Sequence, residues 1–158
     1  MKLYALSIFN KTSSGAVLLT EATELSSFGF FQRGTVKEMV TFFTKTIADR
    51  TPPSTRQSVQ KEEYYIHVYM RADGLCITAT CDAEYPQRVI FSLLTKILDD
   101  FNAANEGWQK QTQPNSVVWP PLDEACQKYQ DPSSADQIMK IQKKQTLAES
   151  FSVYFDSR

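Results

Sequence analysis

The 158-residue sequence has few of the residues that build metal centres and disulfide frameworks. It contains one histidine, His67, and three cysteines, Cys76, Cys81 and Cys126, with no Cys-x-x-Cys spacing. An odd number of cysteines without paired spacing does not predict a disulfide framework or a zinc site. We therefore expect no bound metal and no cofactor.

The chain also lacks a long apolar run and an excess of charge of one sign. No stretch approaches the roughly 20 apolar residues that span a bilayer, and the apolar run after Met1-Lys2 lacks the cleavage site of a secretory signal. Seventeen basic and 18 acidic side chains leave a net charge of -1. This balance argues against a nucleic-acid partner and against attachment to membranes by charge alone. We expect a cytoplasmic protein without a transmembrane segment.

Signatures of common enzyme classes are missing as well. The sequence contains no G-x-G-x-x-G, P-loop, H-E-x-x-H or G-x-S-x-G motif. The remaining enzymatic hypothesis is a hydrolase in which His67 acts as a general base for Cys76 or Cys81 across a hairpin. No third group is available to orient the imidazole, so a strand histidine hydrogen-bonded to a neighbour is the preferred interpretation. We expect no enzymatic activity.

Hydrophobic periodicity predicts an α+β fold. The predicted elements are strands over 3–9 and 16–20, a helix ending before Pro52, strands over 56–61, 64–70 and 75–81, a helix over 86–102, a long loop over 103–121 pinned by two tryptophans, and a last helix starting at Asp131-Pro132. The polar link over 10–15 favours a hairpin with a longer loop. Since helices do not alternate with single strands, we expect a five-stranded antiparallel sheet with helices packed on it.

The first predicted helix carries a large apolar residue outside its apolar stripe. Thr35 and Glu38 match a capping box at its start, and the stripe follows at helical spacing, formed by Val36, Val40, Phe43 and Ile47. Phe42 lies well away from the centre of that stripe, with Met39 between them. An exposed apolar flank on a helix is typical of a binding groove.

Residues on either side of this helix complete the predicted groove. For Phe28 and Phe31 a core position covering one end of the sheet is the preferred interpretation, and the alternative is an apolar lip beside the helix, formed by Phe30 and Phe31. The polar segment over 56–61, in which only Val59 is clearly apolar, predicts an edge strand. An edge strand beside an apolar helix flank can dock a peptide or a lipid chain.

Several short segments resemble the longin domain of Ykt-type R-SNAREs, a family of prenylated, synaptobrevin-like vesicle-fusion proteins. In chain order they are Met1-Lys2-Leu3-Tyr4, Ser26-Ser27-Phe28, Phe30-Phe31-Gln32-Arg33, His67-Val68-Tyr69 with Arg71, Glu84-Tyr85-Pro86 with Arg88-Val89, and Tyr129-Gln130 before Asp131-Pro132. Together they span the chain from residue 1 to about residue 142. The resemblance implies the profilin-like longin fold, in which a five-stranded antiparallel sheet carries one helix on one face and two on the other.

What the resemblance implies for function is regulation of vesicle trafficking and membrane fusion. Longin domains of this type fold back on their own SNARE core in autoinhibition, and in Ykt-type proteins the groove between the first helix and the edge strand also shelters the C-terminal lipid. By this resemblance Phe42 lines the groove, Met39 and Phe43 flank it, and Val59 faces it from the strand. The implied partners are a SNARE-core helix (in cis in the family, with binding in trans left open here), other SNAREs, and a prenyl or acyl chain. The implied location is cytoplasmic, with peripheral association with Golgi, ER or endosomal and vacuolar membranes.

The end of the sequence departs from the family pattern. We expect a longin domain over 1–130, the start of a SNARE-like helix with Ile138 and Ile141 over 131–142, and a divergent tail over 143–158. The tail does not sustain heptads and carries no prenylation cysteine. These departures leave open a shortened or alternative product, or a module acting in trans. They also keep a second hypothesis, a longin-like scaffold subunit of a tethering or adaptor complex.

Overall fold

The computed structural model describes residues 2–131 and 133–134. Within them, five strands and three helices follow one another as β1 (Leu3–Thr12), β2 (Gly15–Thr23), α1 (Arg33–Arg50), β3 (Thr55–Lys61), β4 (Tyr64–Met70), β5 (Leu75–Asp82), α2 (Gln87–Ala104) and α3 (Pro120–Lys128). Two short 3-10 turns, Phe30–Gln32 and Trp108–Lys110, precede α1 and follow α2.

All five strands join one antiparallel sheet in the order β2-β1-β5-β4-β3. The outer edge of β2 is covered, because the main-chain N–H groups of Asn115 and Val117 donate to the carbonyls of Leu18 and Leu19 at 2.8 and 3.2 Å. Among the described residues β3 pairs with β4 alone. Within the part of the chain that the structure describes, the opposite edge of the sheet is therefore available for further pairing.

The two faces of the sheet carry different helices. Since side chains alternate between the faces of a strand, Leu6 and Ile8 of β1 pack with α2 and α3, whereas Phe9 packs with Ala48 of α1. The fully apolar stripe of α2 fills the larger core, with Ile90, Leu93, Leu94, Ile97, Leu98 and Phe101 all buried. The predicted α+β fold, with one helix on one face and two on the other, is confirmed.

The predicted capping box at the start of α1 is wrong. The 3-10 turn leads directly into the helix, so α1 begins at Arg33 and its N-cap residue, Gln32, makes no side-chain capping bond. Thr35 already lies inside the first turn, where its side chain cannot act as a cap. The buried positions of α1 are Val40, Thr44 and Ala48, so small and polar residues replace much of the predicted stripe.

The predicted long loop over 103–121 contains the start of a helix. Pro120 and Pro121 open α3, and its two buried residues, Leu122 and Cys126, pack against the sheet. A helix of nine residues with only two buried positions shows little hydrophobic periodicity in the sequence, so the helix was not predicted. The prediction that two tryptophans hold this region in place agrees with their contacts. Trp108 Nε1 donates to Asn102 Oδ1 at 2.9 Å, and the Trp119 ring packs edge-on against Phe101.

Two further predictions concern the hairpin and the chain end. The hairpin between β1 and β2 forms, but with a tight turn at residues 13–14 and not a long loop, since the polar residues Asn10, Lys11 and Thr12 still pair across to β2. Gly15 adopts the left-handed φ of +117° at the turn. The predicted helix with Ile138 and Ile141, and the tail over 143–158, lie outside the described residues apart from the first positions of that helix.

Candidate functional site

Helix α1 is attached to the sheet mainly along the side that faces β2. Thr41 Oγ1 donates to Glu21 Oε1 at 2.8 Å, and the main-chain N–H of Ala16 donates to Asp49 Oδ1 at 2.6 Å. The carboxylate of Asp49 also pairs with Lys45 at 3.0 Å. Burial opposes its ionisation, but the bonds from Ala16 and Lys45 prevail and hold the pKa of Asp49 below its ordinary value.

On the other side of α1 an apolar groove opens toward β3 and β4. It encloses about 210 Å³. Four aromatic and four aliphatic or thioether side chains provide most of its lining: Tyr4, Phe28, Phe43, Tyr64, Val36, Met39, Val40 and Ile66. Such an apolar concavity with few polar groups is the usual form of a site for an apolar ligand.

Three rings close one end of this groove. Tyr4 lies 5.5 Å from both Phe28 and Tyr64, measured between ring centroids, and meets Tyr64 nearly edge-on. Burial raises the pKa of both tyrosines above the ordinary value, so their phenols stay neutral at physiological pH. This end is therefore an uncharged aromatic wall.

Lys61 crosses the mouth of the groove from β3 to α1. Its ammonium nitrogen lies 5.1 Å from the ring centroid of Phe43, within the range of a cation–π contact. Because a lysine side chain is long and flexible, it can leave this position when a ligand enters.

The residues predicted from the sequence surround this groove at different depths. Met39 and Phe43 line it, and Val59 stands opposite Ile66 in the β3–β4 pairing, with 36% of its surface exposed. Phe42 lies about 100° around the helix from Phe43, contacts that ring edge-on at 5.6 Å and is 66% exposed. It belongs to the outer face of α1, beside the groove and not among its lining residues.

The predicted lip is the most exposed part of this surface. Phe30 and Phe31, in the turn before α1, are 74% and 94% exposed and contact each other at 5.4 Å. The core position preferred for Phe31 is therefore wrong, because its ring points away from the sheet into solvent. Phe28 turns the other way and is half-buried in the groove wall. The part that any of these residues plays in ligand binding stays a prediction.

Sequence reasoning missed several lining residues. Tyr64 and Ile66 could have been found, because they alternate on β4 and share a sheet face with Val59. Tyr4 could not, since an irregularity in the β1–β5 pairing between Leu3 and Ala5 changes the register there.

His67 lies on the opposite face of the sheet and contacts serine, not cysteine. Its Nδ1 is 2.6 Å from the exposed Ser58 hydroxyl of β3, which also accepts a hydrogen bond from Gln87 Nε2 at 3.0 Å. Burial lowers the pKa of His67 to about 4, so the ring is neutral at physiological pH. Burial also raises the pKa of Cys76 and Cys81 to about 12, which keeps both as unreactive thiols. Ser58 therefore connects the edge strand β3 to His67 of β4 and to Gln87 at the start of α2.

The described part of the chain contains neither a metal-binding cluster nor a membrane-spanning helix. Residues 2–131 and 133–134 contain no cluster of three or more histidine, cysteine, aspartate or glutamate side chains arranged to hold a metal ion. No helix in the same residues combines the length and the apolar character needed to cross a bilayer.

Comparisons with known proteins agree with this architecture. The longin family model, described as a regulated-SNARE-like domain, matches residues 25–153. The chain is 46% identical over 142 residues to the synaptobrevin homolog ykt6 of Schizosaccharomyces pombe, covering 90% of this chain and 72% of that protein. It is 45% identical over 146 residues to the VAMP-like protein YKT61 of Arabidopsis thaliana, covering 90% and 73%, and 42% identical over 145 residues to the synaptobrevin homolog YKT6 of Saccharomyces cerevisiae, covering 90% and 72%.

Five antiparallel strands, one helix on the groove face and two on the other are the arrangement expected of a longin domain. The family match and the identities show that the chain belongs to the longin family, as the longin domain of a Ykt-type R-SNARE. Its role is regulatory, within R-SNARE-dependent vesicle trafficking.

Proposed function

We propose that the groove between α1 and β3 binds an apolar ligand and thereby regulates R-SNARE activity. The ligand is the apolar face of a SNARE-core helix or a prenyl or acyl chain. The observation that carries the proposal is the coincidence of an apolar concavity, a strand edge that is unpaired among the described residues, and exposed apolar residues on α1, on the turn before it and on β3.

The distribution of exposed apolar residues supports a ligand at this position. Among the described residues six large apolar side chains are exposed, and all except Val118 belong to α1, the turn before it or β3. Large exposed apolar side chains concentrated on neighbouring elements are typical of an interaction site. Burying one phenylalanine side chain contributes about 1.5–3 kcal/mol, so a few such contacts suffice for specific binding.

Both classes of ligand suit the groove for physical reasons. A lipid chain gains about 0.8 kcal/mol for each CH₂ removed from water, so a protein groove can compete with the membrane for it. A helix could place apolar side chains in the groove, and an extended segment could pair with the free edge of β3. Binding in the groove would keep either ligand, the lipid chain or the SNARE-core segment, away from membranes and other SNAREs.

The wider role follows from family membership. We propose a non-enzymatic regulatory domain whose partners include other SNAREs, located in the cytoplasm with peripheral association with Golgi, ER or endosomal and vacuolar membranes. The alternative of a scaffold subunit in a tethering or adaptor complex is not favoured, since similarity to synaptobrevin homologues extends over 90% of the chain.

Substitutions at neighbouring positions of α1 test the groove. Titrations of a farnesylated cysteine peptide and a SNARE-core peptide, followed by fluorescence anisotropy, would compare wild type with Phe43→Glu, Phe42→Glu and the control Val118→Glu. We expect Phe43→Glu to weaken binding at least tenfold, because a carboxylate would enter the groove, while Val118→Glu binds normally. Circular dichroism verifies that each variant folds.

The Phe42→Glu result defines the extent of the ligand. Loss of affinity would show that the ligand also covers the outer face of α1, whereas wild-type affinity would confine it to the groove. Wild-type affinity of both Phe43→Glu and Phe42→Glu for both peptides would refute the groove as the binding site.

A further inference from the structure

Two threonine hydroxyls lie buried beneath α1 without a hydrogen-bond partner among the described residues. They belong to Thr78 and Thr80 of β5, which are 0% and 6% exposed. Both residues lie on the sheet face that α1 covers, in register with Ser7 and Ala5 of β1. Buried hydroxyls are nearly always hydrogen-bonded in folded proteins, so this pair marks an unfavourable contact between α1 and the sheet.

The attachment of α1 is also asymmetric. On the β2 side Glu21 accepts from Ser7 and Thr41, both at 2.8 Å, and Asp49 accepts from the main chain of Ala16. We call this side the hinge side. On the β3 side the groove extends between α1 and β5, because Val40 and Thr80 both line it. The polar contact from β3 lies at the C-terminal end of the helix, where Gln57 Nε2 donates to Thr51 Oγ1 at 2.9 Å.

We infer that α1 rotates outward about its hinge side, and that Thr78 and Thr80 act as positioning residues that keep this wall of the groove easily displaced. The inference rests on the proposed function, since the groove is the site that such a motion would widen. With α1 seated, both hydroxyls are cut off from water. Outward rotation lets water reach them, so the open form regains hydrogen bonds that the seated form has lost. One such hydroxyl shifts the balance toward the open form by about tenfold.

The three cysteines provide a built-in reporter of this motion. Cys76 is fully buried among residues of the α1 side, next to Phe9 and Met70 in the sheet. Cys81 and Cys126 are equally buried, but on the α2 and α3 side. Rotation of α1 exposes Cys76 alone, whereas global unfolding exposes all three thiols.

The experiment is maleimide labelling of the 158-residue chain, with each thiol quantified by mass spectrometry. Thr78→Val and Thr80→Val keep the side-chain shape and remove the hydroxyl, and Thr20→Val in β2 controls for the effect of valine in a strand. In wild type we expect Cys76 to react faster than Cys81 and Cys126. Each of the two β5 substitutions should slow Cys76 labelling by about tenfold, with the other two thiols and the control variant unchanged.

A second readout separates positioning from a purely structural effect. The association rate constant of the farnesylated peptide should fall by about the same factor in Thr78→Val as the labelling rate of Cys76, and Thr78 is not among the residues that line the groove. Unchanged Cys76 labelling in both variants would overturn the hinge, and slower labelling with an unchanged association rate would overturn the positioning role. Failure of wild type to bind the peptide would refute the proposed function, whereas the labelling comparison would still decide whether α1 opens.

Discussion

The two faces of the sheet are built on different principles. On the α2 and α3 face, large apolar side chains such as Ile90, Leu94 and Phe101 fill a continuous core. On the α1 face the apolar cluster is much smaller, and buried hydroxyl residues, Ser7, Thr44, Thr78 and Thr80, occupy positions that could have been apolar. The comparison indicates that α2 provides stability, while α1 is held mainly by polar contacts beside a groove that can accept a ligand.

The largest expected difference between the two faces is in the cost of a core truncation. Leu94→Ala should lower the free energy of unfolding by about 3–4 kcal/mol, because it leaves a cavity in a close-packed region. Val40→Ala in α1 should cost only about 1 kcal/mol, since this residue already borders the groove. Urea unfolding followed by circular dichroism measures both. Equal costs would contradict the proposed difference between the faces.

Two lysine–aspartate pairs of the same spacing test the attachment of α1. Asp49 pairs with Lys45 and also accepts a main-chain bond from β2, whereas Asp100 of α2 pairs, among the residues that the structure describes, with Lys96 alone. Asp49→Ala should cost about 1–2 kcal/mol through loss of that charge-assisted bond, and Asp100→Ala about 0.3–0.5 kcal/mol.

The pH dependence of the stability that Asp49 contributes gives an independent test of its contacts. Because the pKa of Asp49 is lowered in the folded state, its contribution should be present above the ordinary carboxyl pKa and lost as pH falls. Asp49→Ala should therefore reduce stability less in acid than at neutral pH. An effect that does not change with pH would contradict the assigned contacts.

On the α2 face, His67 should make stability depend on pH in the acidic range and not at neutral pH. Its pKa of about 4 in the folded state lies below the ordinary value of 6.5, so the unfolded chain binds the proton more readily. Stability should fall as pH decreases from 6.5 to about 4. His67→Gln should remove this part of the profile, as measured by thermal unfolding across that range. A profile unchanged by the substitution would contradict burial of a neutral ring.

The smallest effect is expected at the tip of the exposed lip. Phe31→Ser should change stability by less than about 0.5 kcal/mol, since the side chain is 94% exposed. The urea experiment used for Leu94→Ala measures it. A loss above 1 kcal/mol would mean that Phe31 packs into the fold in solution.

Sequence reasoning succeeded where one apolar period dominates an element. The stripe of α2 from Ile90 to Phe101 and the alternation in β4 are strong signals, and both elements form as predicted. Helix α1 was harder, because Thr44 and Ala48 are buried where a large apolar residue would be expected. Its start was misassigned since the preceding 3-10 turn carries no sequence signature as clear as a capping box.

The groove was predicted in outline and not in detail. Phe43 belongs to the predicted apolar stripe of α1 and Met39 lies beside it. Both line the concavity, and their part in ligand binding, which the family resemblance implies, stays a prediction. The position of Phe42 on the outer face depends on how α1 is rotated about its own axis over the sheet. This rotation brings Thr44 and Ala48 into the buried positions, and hydrophobic periodicity in the sequence does not predict it. Tyr4 enters the groove wall through a local shift in strand register that no sequence pattern announces.

The most direct test of the central claim is a map of ligand contacts by two-dimensional ¹H–¹⁵N NMR. On adding the farnesylated peptide, the amides of Phe43, Ile66 and Thr80 should shift, while those of Ile90 and Leu94 in α2 should not. This result would assign ligand binding to the weakly attached face. Shifts confined to α2 and α3 would contradict it.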